Sequence, residues 1–400
     1  MKSTSLHSTW VLALIALACD GTASQTPVTC TEARFEGGVN GIMPPRPLWV
    51  DKEAFHIVYP DPVLGIAHRA LSRQTGLELS RVDYRELLEK ELGPEYARLG
   101  LFGAAAAPDG ALAVAFQHGI DRLLLSTGAA GQLWTPLWQE SSTFFGLGWD
   151  GEGFTASLLD GFGRWGWARF SVKGEMLSNV EMVVDEPAVR WGAYDSETDK
   201  KTGTTVFVGV SADQGIYMVG RKGRQTSLTA PRAFWQVAAV GDIGPSPAVA
   251  LHGNTALVAW GGRRLFIREV YLDDEQTSPL YRLEIDPASK AIQRVAAAHA
   301  GDRWVIVAQD DLGLMLVELR GSAISRRRLL NHAPGSCASC SQSDLRFTTT
   351  ELSVVADGDE AWAGVVDATA QNVDKGGSVY PTYRVLPLRD SCEYRSLGSQ

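Results

Sequence analysis

Apolar and polar side chains alternate in short runs along most of this chain, and the stretch from Phe145 to Val184 shows the pattern in full. It predicts four strands, Phe145–Trp149, Phe154–Leu159, Trp167–Lys173 and Leu177–Val184, with turns at Asp150–Gly153, Asp160–Arg164 and Gly174-Glu175. In the third strand Ala168, Phe170 and Val172 alternate with Arg169, Ser171 and Lys173. A period of two sends these sets to opposite faces, so one buried and one polar face are expected.

Comparable units lie on either side. The first reads through Leu48–Val50, Phe55–Tyr59 and Ile66–Leu71. A helix is expected over 83–93, with Asp83 and Glu86 as a capping box, Leu87, Leu88 and Leu92 as an apolar stripe, and Gly93-Pro94 as the stop. It reads as an insertion between sheets. The second unit carries Leu112, Val114 and Phe116 in alternation, then Leu123–Leu125 and Leu133–Leu137. Later units run through Val189–Val219, Ala248–Ile285, Val295–Leu330 and Leu352–Leu388, and the last is expected to finish near Tyr394–Leu397.

From Leu48 on, the units average about 50 residues, within the range of known blade repeats. In this pattern residues 46–400 resemble the β-propeller superfamily. The resemblance lies in repetition and not in a diagnostic motif, because Trp149-Asp150 falls in a first turn and not at the end of a third strand as in WD40 repeats. It implies an all-β fold: a single propeller of four-stranded antiparallel blades, seven by this count. Each unit is expected to bury one face against a neighbour, and a ring leaves few exposed edges.

The first residues read as a targeting signal. Lys2 precedes the apolar run Trp10–Ala18, which is too short to span a bilayer, and Ala16-Leu17-Ala18 is a small-x-small cleavage site directly before Cys19. This resembles a bacterial lipoprotein signal, although Ala16 stands where that family prefers Leu. The resemblance implies a signal peptide over 1–18, lipidation at Cys19, a flexible tether over 19–45 rich in Thr, Ser, Gly and Pro, and the propeller over 46–400. The expected location is the cell envelope, anchored to the membrane by lipid.

Cysteine parity agrees. Of five cysteines, lipidation of Cys19 leaves Cys30, Cys337, Cys340 and Cys392, an even set in an oxidising compartment. Three pairings are open; the favoured one joins Cys30 to Cys392 across the ends of the ring and leaves Cys337 with Cys340. Lys and Arg number 37 against 46 Asp and Glu, net −9, and cleavage before Cys19 removes one more cation, Lys2. Such a balance repels phosphate backbones and excludes nucleic acid as an expected partner. Arg326-Arg327-Arg328 runs the other way and reads as a solvated edge.

Candidate chemistry gathers in the turns between second and third strands. Asp61, Asp160, Asp213, Asp311 and Asp367 each follow a second strand, and Gly65, Gly163, Gly215 and Gly313 follow four of them. On one rim of a propeller such carboxylates can hold Ca²⁺ or a cationic ligand, and they can equally be turn caps. Arg164 and Trp165 add a forked donor and a stacking surface to that rim. His56 and His68 lie on adjacent strands and can meet. No His-Glu-x-x-His array, Gly-x-Ser-x-Gly elbow or Lys-containing phosphate loop is present.

These observations lead to three expectations of function. The first is a non-catalytic propeller that binds another envelope protein or an extracellular ligand. The second is a glycosidase or lyase using Asp160 and Asp213 with Arg164, and the third is a structural part of an envelope assembly.

Overall fold

Short strands parted by short turns pair with their immediate neighbours, and the chain folds as consecutive antiparallel meanders. The structure is a computed structural model that describes residues 28–29, 33–36, 46–61, 65–93, 100–118, 120–127, 130–134, 143–159, 165–182, 189–211, 215–221, 223, 233–238, 247–273, 276–331, 352–369, 380–389 and 392–394.

Two short strands come first, β1 (Val28–Thr29) and β2 (Ala33–Glu36). The next sheet has β3 (Arg46–Val50), β4 (Ala54–Asp61), β5 (Gly65–Ser72) and β6 (Glu78–Asp83), and helix α1 (Arg85–Leu92) follows it. Then come β7 (Gly100–Ala106), β8 (Ala111–His118), β9 (Ile120–Thr127) and β10 (Ala130–Trp134). The opening repeat forms β11 (Thr143–Trp149), β12 (Phe154–Leu159), β13 (Trp165–Phe170) and β14 (Met176–Met182). After it stand β15 (Val189–Thr198), β16 (Thr205–Ser211), β17 (Ile216–Arg221) and β18 (Ala233–Ala238). The following sheet holds β19 (Ala248–His252), β20 (Thr255–Trp260), β21 (Arg264–Tyr271), β22 (Gln276–Thr277) and β23 (Tyr281–Glu284). The chain continues through β24 (Ile292–Ala300), β25 (Arg303–Asp310), β26 (Gly313–Arg320) and β27 (Ala323–Asn331). It ends with β28 (Leu352–Asp357), β29 (Glu360–Thr369), β30 (Tyr380–Pro387) and β31 (Cys392–Glu393).

Six of the sheets are four-stranded and antiparallel, and in the sheet begun by β19 both β22 and β23 pair with β21. First strands of successive sheets lie side by side, from β3 to β7, β11, β15, β19, β24 and β28, and β28 returns to β3. The sheets radiate from a closed ring, which is the arrangement of a β-propeller.

The ring closes in a way the sequence pattern did not predict. β2 pairs with β30 through Ala33↔Val385 to Glu36↔Thr382, so the sheet begun by β28 takes its outer strand from the N-terminal side of the chain. The sequence pattern expects the last unit to finish near Tyr394–Leu397, of which 395–397 lie outside the described residues, and expects residues 19–45 to be tether. A period of two marks a segment as a strand without saying which edge it will pair with. β1 also pairs, in parallel, with β31 through Val28↔Cys392.

Each hydrophobic cluster bridges two neighbouring sheets, so the core is a set of seams. One seam packs Ala105, Ala111, Ala113 and Ala115 against Phe154, Ala156, Ala168 and Phe170. This arrangement overturns the expected exposure of Arg169: all six residues of β13 are buried, Arg169 among them, while Ser171 and Lys173 follow the strand, half-buried and exposed. In a ring both faces of a sheet meet a neighbour, so alternation records which seam a side chain enters and not whether it meets water.

The helix also differs from its expected form. Asp83 belongs to β6, opposite Ala67, and Tyr84 occupies the N-cap with no side-chain capping bond. Tyr84 and Leu88 pack with Val58, Ile66, Leu112, Val114 and Phe116, so α1 covers a seam as well as interrupting the strand order. Arg326, Arg327 and Arg328 lie on β27, the outer edge strand of its sheet as expected, with Arg326 exposed, and each also makes a tertiary contact. Arg326 donates to the carbonyl of Glu284 on the preceding sheet, Arg327 to that of Arg389 after β30, and Arg328 to Asp310 in its own sheet.

Candidate functional site

In a meander the turns after second strands share one rim, and the turns after first and third strands share the other. Of the expected carboxylates, the described ones, Asp61, Asp311 and Asp367, belong to the first rim. Asp61 ends β4 opposite Gly65, and Asp367 lies on β29 opposite Thr382. Asp160, Arg164 and Asp213 lie outside the described residues, as do Cys19, Cys30, Cys337 and Cys340; Cys392 is buried on β31.

Asp311 is held in place. Its Oδ1 accepts from Ser289 Oγ at 2.7 Å and from the Lys290 backbone N–H at 2.9 Å. Burial pushes this carboxyl up, but those donors outweigh burial and keep it below the usual carboxylate range. Asp311 thereby ties its turn to the connection entering the same sheet. Next to it, Asp310 is 2 % exposed and accepts the Leu312 and Gly313 N–H groups, together with a fork from Arg328 at 2.7 and 2.9 Å. Trp165 is buried at the start of β13, stacked on Phe207 with ring centroids 5.7 Å apart. Its indole N–H finds no acceptor among the described residues.

The opposite rim holds groups that the sequence did not single out. Asp51, Asp109, Asp150 and Asp199 follow first strands, and in each the carboxylate accepts one or more N–H groups of its own turn. Asp199 does more, because its Oδ2 accepts the Gly253 N–H of the next sheet at 3.1 Å. Burial pushes its carboxyl up, yet the Thr202 and Gly253 donors prevail and hold it low. Gly301 N–H likewise donates to Gly358 across to the adjacent turn, at 2.8 Å. Arg73 reaches from its turn to Glu360 and Asp357 and lies over the Trp362 ring, joining the β3–β6 sheet to the one begun by β28.

Two imidazole pairs stand toward this rim. His252 and His299, at the ends of adjacent first strands, stack with centroids 3.7 Å apart, and Trp304 meets His299 edge-on. Burial first and His252 second push His299 down to about 4, against a weaker opposing pull from Asp302. The second pair was legible in the sequence. His56 Nδ1 lies 3.2 Å from His68 Nε2, and His56 Nε2 lies 2.9 Å from Asp51 Oδ2. Trp49 stacks on His56 at 4.0 Å and 3°. Burial, and then His56, lower His68 to about 4. Among the described residues no three His, Cys, Asp or Glu side chains form a metal-holding group.

The strand positions of His56 and His68 were visible as alternation. Their shared carboxylate was less so, because Asp51 reads as an ordinary turn residue. The Asp310–Arg328 fork and the histidine stack join residues far apart in sequence, and no local signal announces either.

No protein-family model matches this chain, and no curated protein matches it. Solved structures do. The structure of U3-55K superposes with a TM-score of 0.52 at 12% identity, covering 86% of this chain and 98% of that one. The crystal structure of polysaccharide lyase Uly1 gives 0.52 at 10% identity, covering 88% and 91%. The BP39L lectin from Burkholderia pseudomallei gives 0.46 at 10% identity, covering 68% and 78%. At these identities the two superpositions at 0.52 show the fold alone, and the closed ring of sheets described above is that of a β-propeller.

Proposed function

We propose that this chain is an exported, lipid-anchored β-propeller that binds another envelope protein or an extracellular ligand without turning it over. The observation that carries this reading is the use made of the turn carboxylates. Asp51, Asp150, Asp199, Asp310 and Asp311 hold their own turns or tie them to a neighbour. Both rims fixed in this way suit a platform from which loops present a binding surface.

The anchor rests on the sequence: an apolar run, a small-x-small site and Cys19 in succession. The seven-unit count is part of the same proposal. β22 and β23 lie end to end along β21, at Val270↔Thr277 and at Arg264↔Glu284 to Ile267↔Tyr281, with Pro279 between them. Proline cannot donate to a ladder, so they read as one edge strand interrupted there, and their sheet as one more blade. A Cys30–Cys392 disulfide is also proposed. β1 runs beside β31 with Val28 opposite Cys392, and Cys30 follows two residues later.

The test is expression of the full chain in a bacterium fed an alkyne-bearing fatty acid, followed by cross-linking in cells and recovery from solubilised membranes. Lipid label lost in Cys19→Ser, and a reproducible partner lost in Arg164→Ala or Asp160→Asn, are the expected results. Unlabelled wild-type protein would remove the anchor. Depolymerisation of a polysaccharide by purified protein, lost in the Asp160→Asn or Asp213→Asn variant, would replace binding with catalysis.

A further inference from the structure

We propose that His56 and His68 form a binding site for a borderline divalent transition-metal ion, with Zn²⁺ and Cu²⁺ as the ions it fits. The two imidazoles come from adjacent strands, His56 opposite Ala70 and His68 opposite Val58, which sets them diagonally on one face of the sheet.

The protonation pattern follows from Asp51. A carboxylate can only accept, so the 2.9 Å contact requires a proton on His56 Nε2. In a neutral ring that leaves His56 Nδ1 with a bare lone pair, directed toward His68 Nε2. Without metal, His68 donates its Nε2 proton into that lone pair. A metal ion takes the place of that hydrogen bond: His68 exchanges its proton with solvent from Nε2 to Nδ1 and stays a neutral ring, and His56 Nδ1 and His68 Nε2 then both donate lone pairs to one ion.

The distances suit that exchange. Two zinc–nitrogen bonds of about 2.0–2.1 Å at a tetrahedral angle hold their nitrogens about 3.3 Å apart. Here the separation is 3.2 Å. Asp51 then stands behind the ligand as the carboxylate partner that orients metal-binding histidines and raises their basicity. The Trp49 stack fixes the plane of the His56 ring. Nitrogen donors select Zn²⁺ or Cu²⁺ over the Ca²⁺ considered for the aspartate rim. Two protein ligands leave the other coordination positions to water, so the ion is exchangeable and open to a further donor.

The experiment is a calorimetric titration of the full, tag-free chain with ZnCl₂ and separately with CuSO₄ at neutral pH. One saturable equivalent is expected. Affinity should fall at least tenfold in His56→Asn and in His68→Asn, and about tenfold in Asp51→Asn, the lower end of what loss of a carboxylate partner costs. His252→Asn should bind as wild type. The electron paramagnetic resonance spectrum of the Cu²⁺-loaded wild type gives a reading that does not depend on variants folding, and two coupled imidazole nitrogens are expected. Absence of saturable binding of both ions, oxygen-only ligation of Cu²⁺, or wild-type affinity in a folded His56→Asn/His68→Asn double variant would each overturn the proposal.

Discussion

Arg169, on the third strand of its sheet, grips the carboxylate of Asp150, which lies in the turn after the first strand and is fully buried. The same carboxylate accepts the Glu152 and Gly153 N–H groups at 2.9 and 2.8 Å, so one side chain organises the turn and neutralises a guanidinium inside a seam.

Replacing Asp150 by Asn keeps a turn acceptor but strips the charge from beside Arg169. Breaking one side of a buried pair costs about 3–5 kcal/mol. Glu152 stays within 3.2 Å of the guanidinium, which places the expected loss at the lower end of that range. Chemical denaturation of Asp150→Asn should show it. The double variant Asp150→Asn/Arg169→Leu should lose less than the two single losses added together.

Gly148 lets β11 approach β15. A Cβ added there would lie 2.5 Å from Thr198 Cβ and 2.4 Å from its Oγ1. A Cβ is fixed to its backbone, so the strands must part. Gly148→Ala is expected to destabilise by about 1–3 kcal/mol, as overpacking does. The double variant Gly148→Ala/Thr198→Gly should recover much of that loss in thermal unfolding.

Acid should weaken the fold before most carboxylates titrate. His68 and His299 sit at about 4 in the folded chain, below an ordinary histidine near 6.5. Between those values the unfolded chain binds more protons. The stability contributed by the neutral rings is therefore complete above about 6.5 and is lost as pH falls toward about 4. The midpoint of thermal unfolding should drop across this window. In His68→Gln and His299→Gln, which cannot take up the proton, the drop should be shallower; an unchanged slope would show that neither ring governs it.

Removing residues 1–45 deletes β1 and β2 and leaves β30 as an open edge. Such a truncation is expected to lose the cooperative unfolding of the full chain and to self-associate, as seen by circular dichroism and size-exclusion chromatography. Removing only residues 1–27 retains both strands and should preserve a single cooperative transition.

The sequence by itself determined the strands, most of the turns and the all-β class, because a period of two and Asp-Gly turns are local properties. The stretch from Phe145 to Val184 became four strands close to the expected bounds, and His56 and His68 were set to meet by their places in adjacent strands. Only the tertiary structure decided which side of each strand meets water. Arg169 reads as a polar-face residue and is buried, since a ring places a neighbouring sheet on both of its faces. The ring also decided that Ala33–Glu36, from the N-terminal side of the chain, pairs with β30 in the sheet begun by β28. It set Asp311 to hold a connection, put Asp310 under Arg328, and brought His252 onto His299. These partners lie on different strands, turns or sheets, and which of them meet depends on how each meander folds and how the meanders are arranged around one axis, which no short stretch of chain encodes.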